Sequence, residues 1–356
     1  MKVTMQKVNA LPMRTWRWLG VNDVDIEREI PEFLPLQNPP KVQLPAGVAA
    51  LQDAKEAEDI ITGMGEAVPL FVNEWANHRA YIQVQQGQTA GPIVYHYDLD
   101  KEQTPVADDH VIIAEPNSDI TVLQIYTGSN AGAFHAGCTR IVAKAGAKVK
   151  LLQLQMLPEG STHLNDIGVN MQDKAEVSVT NLELGKADIY AGGRFRLLGR
   201  ASVLNCNTVY FGDDARTLDF NYFAEHVAPE TTSDIIAGGA LFDECQKLYR
   251  GTIDFVSGAA RSVGHEQENT LLLSNKVRNR TAPLILCGEE NVEGQHAATI
   301  GKLDADMLFY LASRGLSEEQ AKLMMVHAQF GPAIAKLPEE WKERAEKYLT
   351  ERMESK

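Results

Sequence analysis

Residues 147–220 read AKVKLLQLQMLPEGSTHLNDIGVNMQDKAEVSVTNLELGKADIYAGGRFRLLGRASVLNCNTVYFGDDARTLDF. Five runs inside this stretch begin on an alanine and continue as an extended, Val-, Ile- and Leu-rich segment, at Ala147, Ala175, Ala187, Ala201 and Ala215. Their spacings are 28, 12, 14 and 14 residues. A period near 13, doubled once, suits short strands stacked in successive half-coils of a β-solenoid, where each unit buries its apolar face only against its neighbours. A sandwich with irregular hairpins is the competing reading. The Asn-Gly and Asp-Gly pairs that mark two-residue hairpins are absent throughout the region, which counts against it.

The same texture extends outward. From about Ile93 to Leu286 the runs are short, rich in Val, Ile, Thr and Tyr, and punctuated by Gly, Asn and Asp, as in HVIIAEP, ITVLQIYTG and LDFNYFAEHV. No helices alternate with these strands, so a doubly wound sheet is disfavoured. Residues 1–90 read as a small helical or mixed segment followed by a Pro-bearing linker, PEFLPLQNPPKVQLPAG. Trp16 and Trp18 are expected to anchor a helix there. From residue 301 the texture turns helical. Asp304 is placed to cap a first helix carrying Met307, Leu308 and Leu311, with Phe309 and Tyr310 beside them and Arg314-Gly315 as its stop. Ser317-Glu318-Glu319-Gln320 is a capping box, with Leu316 and Ala321 as its staple. Pro338 suits the first turn of a third helix burying Trp341, Ala345, Tyr348, Leu349 and Met353, and the tail ERMESK is expected to fray. The domain reading is therefore 1–90, a solenoid over 91–300, and a helical part over 301–356.

Composition bounds the function. Thirty-four Lys and Arg against 48 Asp and Glu leave a net charge of −14, so nucleic acid and anionic membranes are excluded as main partners. Neither a signal peptide nor a membrane-length apolar run is legible. Cys138, Cys206, Cys245 and Cys287 are widely spaced, with no C-x-x-C pair. That disfavours a disulfide framework or a structural zinc site and points to a reducing cytoplasm. There is no Walker A loop, no G-x-G-x-x-G after a strand, no H-E-x-x-H and no G-x-S-x-G. GSNAGAFHAG reads as a loop or solenoid corner.

The metal-ligating residue types are scattered. His135 lies near Cys138. His226 precedes a rigid polar turn, Pro229 to Ser233, and reads as a hydrogen-bonding histidine ahead of a ligand. His265, Glu266 and Glu268 carry one N and two O donors, but in a strand His265 faces away from both carboxylates, so they read as a solvated polar face. His296 sits among small residues where the solenoid texture meets the helical one, and an accessible neutral imidazole is a ligand for iron, zinc or copper.

GQHAATIGKLDADMLFYLASRGLSEEQAKLMM, residues 294–325, resembles the C-terminal signature of the SufB/SufD family, scaffolds of SUF iron–sulfur cluster assembly. His296, Ala298, Thr299, Phe309, Tyr310, Arg314 and Gly315 match it. APETTSD, YRGTIDF, HEQENTLLLS and TAPLILCGEENV fall upstream in the family's order, and the likeness covers about Ile93 to Phe330. The RTWRWLGVN start and the short chain look more like SufD. The resemblance implies a right-handed parallel β-helix core, pairing with a SufB-like paralogue through that core, and docking of the SufC ATPase on the C-terminal helices. The chain would then be a non-catalytic scaffold, with Leu308, Phe309, Tyr310, Arg314 and Gly315 as candidate partner contacts. It also implies no tightly bound cofactor, and transient iron or an iron–sulfur cluster at the SufB interface, with His296 as the candidate ligand. A SufB-type homodimer that holds the cluster itself is the alternative, disfavoured by scarce cysteine. A polysaccharide-acting solenoid enzyme is a third reading, disfavoured by the lack of a catalytic cluster. Two departures stand out. The family's cysteine two positions before the histidine is Gly294 here, and its glycine after the histidine is Ala297, expected to tighten a turn. Cys287 reads as a small buried hydrophobe, and Cys287 and His226 are weak ligand candidates.

Overall fold

The computed structural model describes residues 1–99, 105–129, 131–302 and 305–355. Two strands, β1 (Lys2–Val8) and β2 (Val24–Glu29), pair antiparallel. A short β3 (Val48–Ala50) and one helix, α1 (Ala67–Trp75), follow. The chain then winds as β4 (His78–Val84), β5 (Thr89–Asp98), β6 (Val106–Ala114), β7 (Asp119–Thr127), β8 (Phe134–Ala143), β9 (Lys148–Met156), β10 (Thr162–Met171) and β11 (Glu176–Glu183). It continues as β12 (Asp188–Leu197), β13 (Val203–Gly212), β14 (Thr217–His226), β15 (Thr232–Leu241), β16 (Gln246–Phe255), β17 (Val263–Leu272), β18 (Arg278–Cys287) and β19 (Glu293–Lys302). Three helices close the chain: α2 (Ala305–Ser313), α3 (Glu318–Ile334) and α4 (Glu339–Glu354).

From β4 onward each strand bonds in parallel to the strand two places along, so even strands form one sheet and odd strands the other. The result is a two-sided parallel β-solenoid of eight coils among the described residues. Lys148 is in register with Glu176, so the spacing of 28 read from the sequence is one full coil. The missing half-coil is β10, whose corner residue is Ser161 where alanine stands elsewhere. Small buried residues directly precede the strands at Ser118, Ala147, Ser161, Ala175, Ala187 and Ser202. Ala201 and Ala215 lie one position ahead of the corner, which is Ser202 and Arg216 respectively. The residue before several corners is left-handed, as at Asn117, Gly146, Gly160, Lys174 and Ala201. This turn redirects the chain by a corner and not by a hairpin, which is why hairpin dipeptides are missing.

The solenoid interior holds a continuous apolar core running from Ile82 to Tyr249. Its two outer faces are covered. β1, β2 and α1 lie on the even sheet, packing Val3, Met5, Ile26, Met64 and Val68 against Phe134, Ala136 and Leu164. α3 and α4 lie on the odd sheet, packing Val326, Phe330, Trp341, Ala345 and Leu349 against Leu154, Leu182, Phe211 and Phe242. β1, β2 and α1 thus cover the even sheet, residues 31–47 run between them without helix or strand, and the first parallel strand, β4, starts at His78, ahead of residue 91. Trp16 and Trp18 anchor nothing, being 75% and 80% exposed beside a 3-10 turn at Arg17–Leu19.

The capping box of α3 is formed: Gln320 N donates to Ser317 Oγ at 3.2 Å and Ser317 N to Gln320 Oε1 at 2.9 Å. Pro338 occupies the N-cap of α4 and not its first turn. The tail does not fray at Arg352 and Met353, which are buried. Arg352 donates from Nη1 to the Gly185 carbonyl at 2.8 Å and to the Leu184 carbonyl, and pairs with Asp213. Leu303 and Asp304 lie outside the described residues, as does the side chain of Met307.

Candidate functional site

The last coil decides what the solenoid can present. Among the described residues β18 bonds only to β16 and β19 only to β17, so each presents its other edge unpaired there. Residues 293–300 are exposed throughout, although residues of the coil below are buried. Alternation along β17 turns Gly264, Glu266 and Glu268 inward, and their register partners on β19 are Gly294, His296 and Ala298. His296 therefore holds an inward register position of a coil with no further coil stacked on it, which leaves its imidazole accessible. The run around it is a strand, not a turn, and Ala297 lies within it. Register bonds to β17 supply the order that the local sequence did not announce.

Beneath this coil lies a buried polar cluster. Lys247 Nζ donates to Glu268 Oε1 at 2.5 Å, Tyr210 Oη donates to the same oxygen at 2.7 Å, and Thr281 Oγ1 donates to Glu268 Oε2 at 2.6 Å. Burial pulls the Lys247 amine down, against the pull of Glu268. Glu266 is 3% exposed and has no hydrogen-bond partner on Oε2 among the described residues. Burial, then the charge of Glu268, pushes its carboxyl up to about 8. Glu266 thus keeps its proton at neutral pH beside the Lys247–Glu268 salt bridge, which avoids burying a lone carboxylate there. Glu266 and Glu268 are interior groups and not the solvated face the sequence suggested. His265 points outward, with Nδ1 3.0 Å from Asp234 Oδ1.

The cysteines sort by burial. Cys138, Cys206 and Cys245 are buried, and burial pushes the last two thiols up to about 12 and Cys138 well above its ordinary value. None of these offers a thiolate at neutral pH. Cys287 is exposed at the end of β18, where Sγ donates to the Glu289 carbonyl at 3.1 Å. It is no buried hydrophobe, because the coil that would bury it is absent. A Cβ added at Gly294 would meet the Phe255 ring at 2.9 Å, so the space beside a thiol at this position is taken by that ring.

The other predicted residues fall elsewhere. His226 is buried, with Nδ1 2.7 Å from Thr231 Oγ1 and Nε2 2.8 Å from Ser233 Oγ, and its ring stacks on Phe255. Burial lowers it to about 4, so it is a neutral core histidine. On α2, Leu311 is buried while Phe309 and Tyr310 are 77% and 55% exposed. Leu308 is half-buried, and the Arg314 guanidinium lies 5.3 Å from the Tyr310 ring. Gly315 takes φ +89°, the left-handed stop that α2 requires.

Sequence reading missed a column of imidazoles inside the first coils. Tyr97 Oη lies 2.7 Å from both His78 Nδ1 and His110 Nε2, His135 Nε2 lies 2.5 Å from Asp108 Oδ2, and His135 Nδ1 lies 2.8 Å from His163 Nδ1. The chain positions are too far apart to signal this, and only stacking of coils makes them neighbours. No group of three or more His, Cys, Asp or Glu among the described residues is arranged to hold a metal ion. Nor is any described helix long and apolar enough to cross a membrane.

Residues 97–329 match the family model described as SUF system FeS cluster assembly, SufBD core domain. The chain is 23% identical over 266 residues to the iron–sulfur cluster assembly protein SufD of Bacillus subtilis, covering 74% of this chain and 61% of that one. It is 28% identical over 253 residues to a SufBD family protein of Pyrococcus horikoshii, covering 70% and 56%. A Synechocystis relative matches at 24% over 269 residues, covering 73% and 56%. The chain thus spans 56 to 61% of the length of these relatives. With the core match running from the end of coil one through coil eight, α2 and most of α3, the chain belongs to the SufB/SufD family.

Proposed function

We propose that this chain is a SufD-like scaffold subunit of a cytoplasmic SUF complex, which pairs through its last coil with a SufB-like paralogue and binds the SufC ATPase on α2 and α3. The observation that carries the reading is the exposed last coil running directly into a helix with bare aromatics: accessible His296 on β19, then Phe309 and Tyr310 on α2. Unpaired strand edges are templates for another chain's strands, and exposed aromatic rings are the usual anchors of a protein interface. The chain performs no chemistry of its own in this reading. The nascent iron–sulfur cluster is cargo at the junction, His296 is this subunit's donor to it, and thiolates come from the partner because Gly294 supplies none.

Copurification from the native cell tests the assembly, and the expected companions are an ABC-type ATPase and a longer paralogue. A Leu308→Glu, Tyr310→Ala double variant is expected to keep the fold and lose the ATPase; unchanged ATPase binding would falsify the docking assignment. His296→Ala should leave the complex intact and lower iron–sulfur enzyme activities in vivo. Activities equal to wild type would remove His296 from the cargo site.

A further inference from the structure

The N-terminal cover carries a cleft that the assembly reading leaves unused. It encloses about 490 Å3 between the end of β1, the start of β2 and the loop joining them, and Lys7, Arg14, Arg17, Asn22, Asp23 and Asp25 line it. That volume is in the range of small-molecule sites. Three cations gather here in a chain of net charge −14. Among the described residues none of the three has an ion pair or a side-chain hydrogen bond. Trp16 lies between the lining residues Thr15 and Arg17, and Trp18 follows, both with bare rings. Two exposed indoles forgo the burial that usually makes tryptophan worthwhile, and a planar ring stacked on one of them restores it.

The cleft is built before any ligand arrives. Thr15 N and Oγ1 donate to Asn22 Oδ1 at 2.7 and 2.9 Å, and Asn22 Nδ2 donates to the Thr15 carbonyl at 3.1 Å, which ties the loop across its waist. Gly20 turns the chain back at φ +62°. Behind it, Arg280 Nη1 donates to the Gly20 carbonyl at 2.8 Å and Arg250 Nε to the Val21 carbonyl at 2.6 Å. Lys7 sits at φ +56°, a region that a long side chain rarely adopts, and its N–H donates to Asp25 Oδ1 at 2.9 Å. Backbone of this kind persists where its surroundings fix it, and it clusters at ligand sites. The side chains divide by chemistry. Guanidinium forks suit phosphate oxygens, a carboxylate such as Asp23 suits ribose hydroxyls, and an indole suits the face of a base. A nucleotide presents all three partners at once. The sequence has no Walker A loop, so this set of side chains offers binding and not hydrolysis.

We propose that the cleft formed by β1, β2 and the loop 9–23 binds a free nucleotide, with its phosphates on Lys7, Arg14 and Arg17, its ribose hydroxyls on Asp23 and its base stacked on Trp16 or Trp18. The inference concerns the N-terminal cover alone and does not rest on the assembly role proposed above.

Titration of the purified full chain with ADP tests it, followed by calorimetry and by quenching of tryptophan fluorescence. ADP is expected to bind with a Kd below about 1 mM. Pyrophosphate, which lacks the ring, and adenosine, which lacks the charge, should each bind more weakly by about fivefold or more, the worth of one stacked base. Trp16→Ala, Trp18→Ala together should weaken ADP by a similar factor and leave pyrophosphate unchanged. Arg14→Ala, Arg17→Ala together should weaken both ADP and pyrophosphate. All four positions are exposed, so melting temperatures near wild type are expected and separate a lost site from a lost fold. A chain that does not bind ADP overturns the proposal, as does an affinity unchanged by the tryptophan substitutions. So does pyrophosphate bound as tightly as ADP, since the cleft then reads charge alone, and so does binding of single-stranded RNA without binding of ADP.

Discussion

Glu266 holds a carboxyl with almost no solvent and no partner on one oxygen, and its pKa of about 8 turns that isolation into a pH dependence. The folded value lies above the ordinary 4.5, so the folded chain binds the extra proton between those values, and stability is lost as pH rises through this window. Glu266→Gln, which mimics the protonated acid, should gain stability relative to wild type on going from pH 5 to pH 8 in urea unfolding. His226 has the opposite sign. Its folded value of about 4 lies below 6.5, so the unfolded chain takes the proton first and stability falls as pH drops toward 4. His226→Asn should flatten that acid-side slope; a slope equal to wild type would show that the ring is not kept neutral by burial. Lys247→Met strands Glu268 with neutral donors only and should cost about 3–5 kcal/mol at neutral pH, as breaking a buried pair from one side does.

The elements differ in how openly they declare themselves. α3 is announced by its capping box, and Ser317→Ala should cost about 1 kcal/mol by thermal or urea unfolding, more than an exposed Ser→Ala elsewhere. The last strand, β19, is not announced at all. Its residues, EGQHAATIGK, are small and polar, and they form a strand because β17 offers an edge in register. The corners lie between these cases. A small residue after a left-handed one is a visible rhythm at Ala147 and Ala175. It is blurred where Ser161 or Arg216 takes the corner, because several side chains satisfy the same space. Arg352 was invisible for a related reason. A charged residue in a charged tail looks solvated until the carbonyls of Leu184 and Gly185 and the Asp213 carboxylate are brought to it by the solenoid.

At the scale of the molecule, cover and core depend on each other. α3 and α4 bury the outer face of the odd sheet, including Leu154, Leu182, Phe211 and Phe242. A chain ending before Glu318 would leave this contiguous apolar face bare, the kind of patch that soluble monomers rarely expose. Such a truncation should aggregate on expression and bind a hydrophobic dye, whereas a chain cut only within its last two residues should behave as wild type.

A solenoid was legible in the sequence because its information is local and repeated: each coil needs a strand-forming run, a small corner residue and no hairpin signal, and every coil says so again. The family signature at residues 294–325, the capping box and the stop at Gly315 are likewise short-range patterns. What only the tertiary structure decided is everything set by stacking. It placed His296 on an unstacked coil and drew Glu266 and Glu268 into the interior beside Lys247. It assembled His78, His110, His135 and His163 into one column and left Trp16 and Trp18 outside. These outcomes depend on which coil lies above or below a residue, and a parallel sheet brings together residues about one coil apart in sequence, a separation at which neither propensity nor local spacing carries a signal.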